Sequence, residues 1–67
     1  MIKIIVNGQE MEFEEALSLK KLIQKLKIEE KVMAAAVNMN VVKKEEWENF
    51  KLKNKDKVEL LHFVGGG

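Results

Sequence analysis

The chain has 67 residues, 46% of them hydrophobic and 34% charged, with a formal net charge of +1 at pH 7. That length holds one domain, and a domain so small buries only about 60% of the surface of its unfolded chain, leaving no room for an enclosed active site. Balanced charge supplies neither a nucleic-acid arm nor a polybasic membrane patch, and without Cys there are no disulfides or thiolate metal sites.

The first predicted element is a hairpin. Ile2-Lys3-Ile4-Ile5-Val6 is apolar and mostly β-branched, and Asn7-Gly8 suits the two positive φ angles of a type I′ turn. Glu10-Met11-Glu12-Phe13 then returns with polar and apolar residues alternating at period two. A strand at the start, in place of a basic segment followed by an apolar one, argues against a signal peptide. No apolar run approaches the roughly 20 residues that a membrane span needs. The expected setting is the cytoplasm.

From Leu17 to Leu26 the period changes. Leu19, Leu22, Ile23 and Leu26 fall on one helical face, with Lys20, Lys21, Gln24 and Lys25 on the other. Ser18 stands at the N-cap position, where its hydroxyl accepts an orphan backbone N–H. Lys25 and Lys27 complement the negative end of the helix dipole. Next, Val32 to Val37 is a continuous apolar run whose length predicts a buried strand. Asn38-Met39-Asn40 predicts a turn, because Asn tolerates the left-handed region, and Val41-Val42 a short strand beyond it. Lys43 to Glu48 reads as one helical turn that sets Trp47 over the edge of the core. Phe50 and Leu52 pack from the loop that follows, Asn54-Lys55-Asp56 turns, and Val58 to Val64 forms the last strand.

The order is therefore β-β-α-β-β-β. It predicts an α+β fold of the β-grasp type, a mixed sheet of about five strands crossed by one main helix. The first and last strands lie parallel at the centre, and the helix covers one face and leaves the other open. Residues 43–50 are too short and polar for the second helix of a ferredoxin-like fold. Residues 1–64 form the expected domain, with residues 65–67 as a flexible Gly tail.

The residue types argue against catalysis by this chain alone. It has one Ser, one His and no Thr, Tyr or Arg, so a nucleophile, a base and an orienting group are not available together. His62 lacks a second metal ligand of suitable type nearby. Trp47 has no basic groove beside it, so it reads as a packing residue and not a base-stacking platform. Lys43-Lys44 and Glu45-Glu46 read as a solvated face.

The unusual feature is the C-terminus, where Val58-Glu59-Leu60-Leu61-His62-Phe63-Val64 runs directly into Gly65-Gly66-Gly67. Glycine has no Cβ, so such a tail is thin enough for a narrow channel, and its end is a free α-carboxylate. An enzyme that takes a protein's C-terminus as substrate needs that shape, since no side chain keeps the carboxylate from the α-phosphate of ATP. On composition alone, a Gly-rich tail also describes a frayed end. The direct junction with an apolar strand favours use.

Across nearly its whole length the chain resembles the thiamin-biosynthesis sulfur carriers, the ThiS family of small ubiquitin-like proteins. The residues that carry the likeness are Ile5-Val6-Asn7-Gly8, Leu22-Ile23, Val37-Asn38, Val41-Val42 with Glu46-Trp47, Lys55-Asp56-Lys57-Val58-Glu59, and above all His62-Phe63-Val64-Gly65-Gly66-Gly67. Two loop positions depart from the pattern: Lys43, where Pro is frequent, and Lys55, where Gly often precedes the Asp. The resemblance implies that a ubiquitin-activating-type adenylating enzyme consumes ATP to adenylate the carboxylate of Gly67. A sulfur donor such as a cysteine desulfurase then converts it to a thiocarboxylate, from which thiazole synthase takes the sulfur. It implies no bound cofactor and no metal, and the balanced charge and short apolar runs already lead to an expectation of no nucleic-acid and no membrane partner.

Strand alternation also suggests where those partners dock. Val58, Leu60, His62 and Val64 fall on one side of the last strand, and Glu59, Leu61 and Phe63 on the other. With Ile2, Ile4 and Val6 facing the helix, Ile5 joins Leu61 and Phe63 as an expected open-face patch beside Val64, Gly65 and Gly66. Two alternatives remain open. One is a molybdopterin-type sulfur carrier. The other is a ubiquitin-like module that conjugates through its carboxylate or simply binds a partner.

Overall fold

Two positive φ angles, 49° at Asn7 and 83° at Gly8, reverse the chain between strands β1 (Ile2–Val6) and β2 (Gln9–Phe13). The strands pair antiparallel from Ile2 opposite Phe13 to Val6 opposite Gln9, the hairpin that Asn-Gly predicts. A Cβ on Gly8 would meet nothing within 4 Å, so only its backbone angle favours glycine there. The structure, a computed structural model, describes residues 1–62.

Helix α1 (Leu19–Lys25) begins where the cap predicts: Ser18 is extended, and its Oγ accepts the Lys21 N–H at 3.1 Å. The helix is shorter than the apolar period from Leu17 to Leu26. At its start, Leu17 and Ser18 pair with another segment, with Leu52 N–H donating to Leu17 O and Leu19 N–H to Phe50 O, both at 2.8 Å. At its end, Lys27 takes a left-handed φ of 60° and donates its N–H to Gln24 O. Lys25 occupies the last turn as expected, whereas Lys27 lies beyond it.

A 3₁₀ turn at Glu29–Lys31, which the sequence pattern did not predict, leads into strand β3 (Val32–Val37). The register shifts between Val32 and Ala34, and Met33 is exposed. That bulge puts both Val32 and Ala35 in the core, although they are three residues apart on a strand of period two. Asn38 and Met39, with φ of 52° and 73°, turn the chain into strand β4 (Asn40–Val42). The second 3₁₀ segment, Lys44–Asn49, carries Trp47. Trp47 lies inside the core and not over its edge; its indole Nε1–H donates to the Val42 carbonyl at 3.0 Å, which permits full burial.

Strand β5 (Lys57–His62) completes a sheet of order β2-β1-β5-β3-β4. It runs parallel to β1 and antiparallel to β3, at the centre of the sheet as expected. Ile4, Leu19, Leu22, Ile23, Val58 and Trp47 are the largest fully buried side chains, and they belong to one cluster between the sheet and the helical segments. Lys55, at the departure from the familiar turn pattern, adopts a φ of 73°. Its neighbours hold the turn: Asp56 Oδ2 accepts the Lys53 N–H, and Asn54 Oδ1 accepts the Lys3 N–H, each at 2.8 Å. Among the described residues, no helix is long and apolar enough to cross a membrane.

Candidate functional site

β5 leads to the glycines, and its alternation divides its side chains sharply. Val58 and Leu60 are buried, while Lys57, Glu59 and Leu61 are exposed on the face opposite the helix. His62 pairs in register with Val32 and is half-buried, and its Nδ1 is enclosed without a hydrogen-bond partner among the described residues. Phe63, Val64, Gly65, Gly66 and Gly67, all expected at the site, lie outside the described residues.

On the open face, Leu61 stands beside Ala34 in the β3–β5 register. It lines a hollow with Asn7, Ala34, Ala36, Val41 and Glu59. The hollow exists because Ala34 and Ala36 are small where neighbouring strands carry longer side chains. Val41 and Leu61 are exposed in its lining, which gives the hollow an apolar margin.

Ile5 does not join this patch. The parallel register places Ile5 opposite Lys57, four residues before Leu61 and with Glu59 between them on the same face. Four residues of strand span about 13 Å. Ile5 is half-buried and instead lines a separate hollow with Gly8, Met39, Lys57 and Glu59. Pairing of β1 with β5 was legible in the sequence, but the register that separates the two residues was not.

Sequence reasoning also missed a second use of Asn7. Its Oδ1 accepts the Leu60 N–H at 2.8 Å, and its Nδ2 donates to the Leu60 carbonyl at 3.3 Å. The residue type and its position in the turn were legible; the contact, 53 positions along the chain, was not.

Among the described residues, no three His, Cys, Asp or Glu side chains gather as a metal site. What the arrangement provides is placement: a central strand, gripped by both neighbours, leads toward the C-terminal residues beside an apolar hollow.

The chain matches the model of the ThiS family over residues 4–67. It is 27% identical over 63 residues to the sulfur carrier protein ThiS of Bacillus subtilis, covering 92% of this chain and 96% of that protein. It is also 27% identical over 66 residues to a thiazole synthase of Paramagnetospirillum magneticum, covering 98% of this chain but 20% of that much longer protein. The crystal structure of the thiamine biosynthesis protein ThiS from Geobacter metallireducens superposes with a TM-score of 0.81 at 31% identity, covering 98% of this chain and 100% of that one. A solution structure of a thiamine biosynthesis protein from the same organism gives 0.77 at 29% identity, covering 98% and 88%.

Proposed function

The chain belongs to the ThiS family, and we propose that it serves thiamin biosynthesis as a sulfur carrier loaded on the α-carboxylate of Gly67. The observation that carries this reading is the family match, which runs through residue 67 and so includes the glycines. The near-complete mutual coverage with a protein named as a sulfur carrier supports it.

The chemistry follows from what a carboxylate lacks. It is a poor electrophile until one oxygen becomes part of a good leaving group. In an adenylating partner, a Gly67 carboxylate oxygen attacks the α-phosphorus of ATP, forming an acyl-adenylate and releasing pyrophosphate. A persulfide, such as that of a cysteine desulfurase, then attacks the acyl carbon and expels AMP, leaving an acyl disulfide. A second thiol attacks the donor-side sulfur; two electrons pass into the S–S bond, a protein disulfide forms, and the thiocarboxylate leaves. ATP belongs to the partner's site, and the carrier contributes its own terminus as the reacting group.

Thiazole synthase is the proposed acceptor. A segment resembling this chain makes up about a fifth of a protein bearing that name, which supports carrier and synthase as working partners. Leu61 and its hollow form the proposed docking surface, with Phe63, Val64, Gly65 and Gly66 following the partner's channel and Ile5 at the far margin of the same face. Deleting Gly66 and Gly67 tests the reading. The truncated chain keeps its melting temperature but supports no thiazole formation in a reconstituted system; sulfur transfer that survives the deletion overturns it.

A further inference from the structure

Of the residues that line the hollow beside Leu61, Glu59 alone carries a charge. It stands on β5 opposite Ala36, exposed on the open face between Lys57 and Leu61. Glu59 also lines the neighbouring hollow with Ile5, Gly8, Met39 and Lys57, so the two hollows meet at this residue. Val41 and Leu61 in the first hollow and Met39 in the second are all exposed. A carboxylate therefore sits within an apolar margin.

The fold does not neutralise it. The ion pairs among the described residues join Lys3 with Glu10 at 3.9 Å and Lys25 with Glu14 at 3.5 Å, and neither includes Glu59. Lys57 shares its face but stands two residues back, about 7 Å along the strand, and is not paired with it. While the face is open this costs nothing, because an exposed carboxylate keeps its hydration. Docking changes that. A surface that fills either hollow also covers Glu59 and takes its carboxylate out of water. Left without a partner there, the charge opposes binding; met by a guanidinium or ammonium group, it fixes the register and rejects acidic competitors.

We infer that Glu59 selects the partner: the surface that the adenylating enzyme seats on this face carries an Arg or Lys side chain beside an apolar one. The apolar group enters the hollow against Leu61 and Val41, and the cation meets Glu59. Charge complementarity carries the assignment, since this unpaired carboxylate is the one charge in the hollow.

Glu12 supplies the control. It is exposed on β2, opposite Lys3, and lines neither hollow. Replacing either glutamate by Gln changes the net charge equally, so an effect of the overall field is shared and an effect of the hollow is not.

The inference deepens the carrier reading above and rests on it, and the experiment separates the two. The adenylating enzyme of the same organism is titrated calorimetrically with the wild type, Glu59→Gln, Glu59→Lys and Glu12→Gln. Pyrophosphate release, melting temperatures and sedimentation of the free carrier are recorded alongside. Glu59→Gln, nearly the same shape without the charge, is expected to weaken binding about 10- to 100-fold, and Glu59→Lys to weaken it further. Glu12→Gln is expected to stay within about twofold of wild type, and every variant to melt within about 4 °C of it. Wild-type affinity in Glu59→Gln, an equal loss in Glu12→Gln, tighter binding by Glu59→Lys, or a loss matched by a fall in melting temperature overturns the selecting role. Self-association of the wild type that Glu59→Gln abolishes also overturns it, and assigns the face to a second copy of the chain. A wild-type chain that neither binds the enzyme nor releases pyrophosphate overturns the carrier reading itself, and this inference with it.

Discussion

Leu60 and Leu61 are neighbours of one residue type on one central strand, yet Leu60 is 6% exposed and Leu61 62%. The two faces of the sheet divide in the same way. Toward the helix, Ile2, Ile4, Val6, Val58 and Leu60 enclose a core with Leu22 and Ile23. Away from it, Lys3, Lys57, Glu59 and Leu61 are exposed, and Glu59 and Leu61 stand beside the small Ala36 and Ala34. A domain with so thin a core needs every buried side chain on the covered face. The open face is spared that duty, so an apolar residue there is available to a partner.

Substitutions on the two faces should therefore fail in different assays. The largest effect is expected from Trp47→Ala, which removes a fully buried indole and its bond to Val42 O. A loss of about 3–5 kcal/mol is comparable with the whole stability of a chain this size, roughly 3–10 kcal/mol. Urea unfolding followed by circular dichroism should show a midpoint shifted strongly toward zero urea; an unchanged midpoint would break the comparison. Leu61→Ala is expected to leave stability within about 0.5 kcal/mol while weakening capture by the adenylating enzyme about tenfold. Calorimetric titration beside a melting curve separates the two effects, and a loss in stability without a loss in affinity would reverse the assignment. The smallest effect is a gain. Lys55 holds a left-handed φ that glycine adopts freely, so Lys55→Gly should raise stability by about 0.5–1 kcal/mol. A lower melting temperature would show that the lysine side chain, and not the turn angle, matters there.

Much of this division was legible in the amino-acid order because it rests on local periodicity. Ile2, Ile4 and Val6 alternate, Leu19, Leu22 and Ile23 share a helical face, and Ser18 caps that helix, each by rules that act within a few residues. What stayed hidden depends on distant partners. The bulge at Met33, the full burial of Trp47 against Val42 O, and the early start of the loop pairing at Leu17 all follow from tertiary contacts. The same holds at the candidate site. That Leu61 faces outward follows from alternation, but its separation from Ile5 follows from the β1–β5 register, and the grip of Asn7 on Leu60 from the place where β1 turns away. Phe63, Val64 and the glycines lie outside the described residues, so their part remains a sequence-based proposal.

The most direct test is alkylation of the carrier isolated from cells that supply the adenylating enzyme and sulfur, followed by mass spectrometry of the C-terminal peptide. Intact mass is a poor substitute, because replacing oxygen by sulfur nearly matches oxidation of any of the four methionines. With no cysteine in the chain, an alkyl group on the Gly67 fragment reports a thiocarboxylate. That adduct is the predicted result. A tail that is adenylated in the same cells yet never alkylated, and that is found instead in amide linkage to a lysine, would contradict sulfur carriage and make the chain a conjugated modifier.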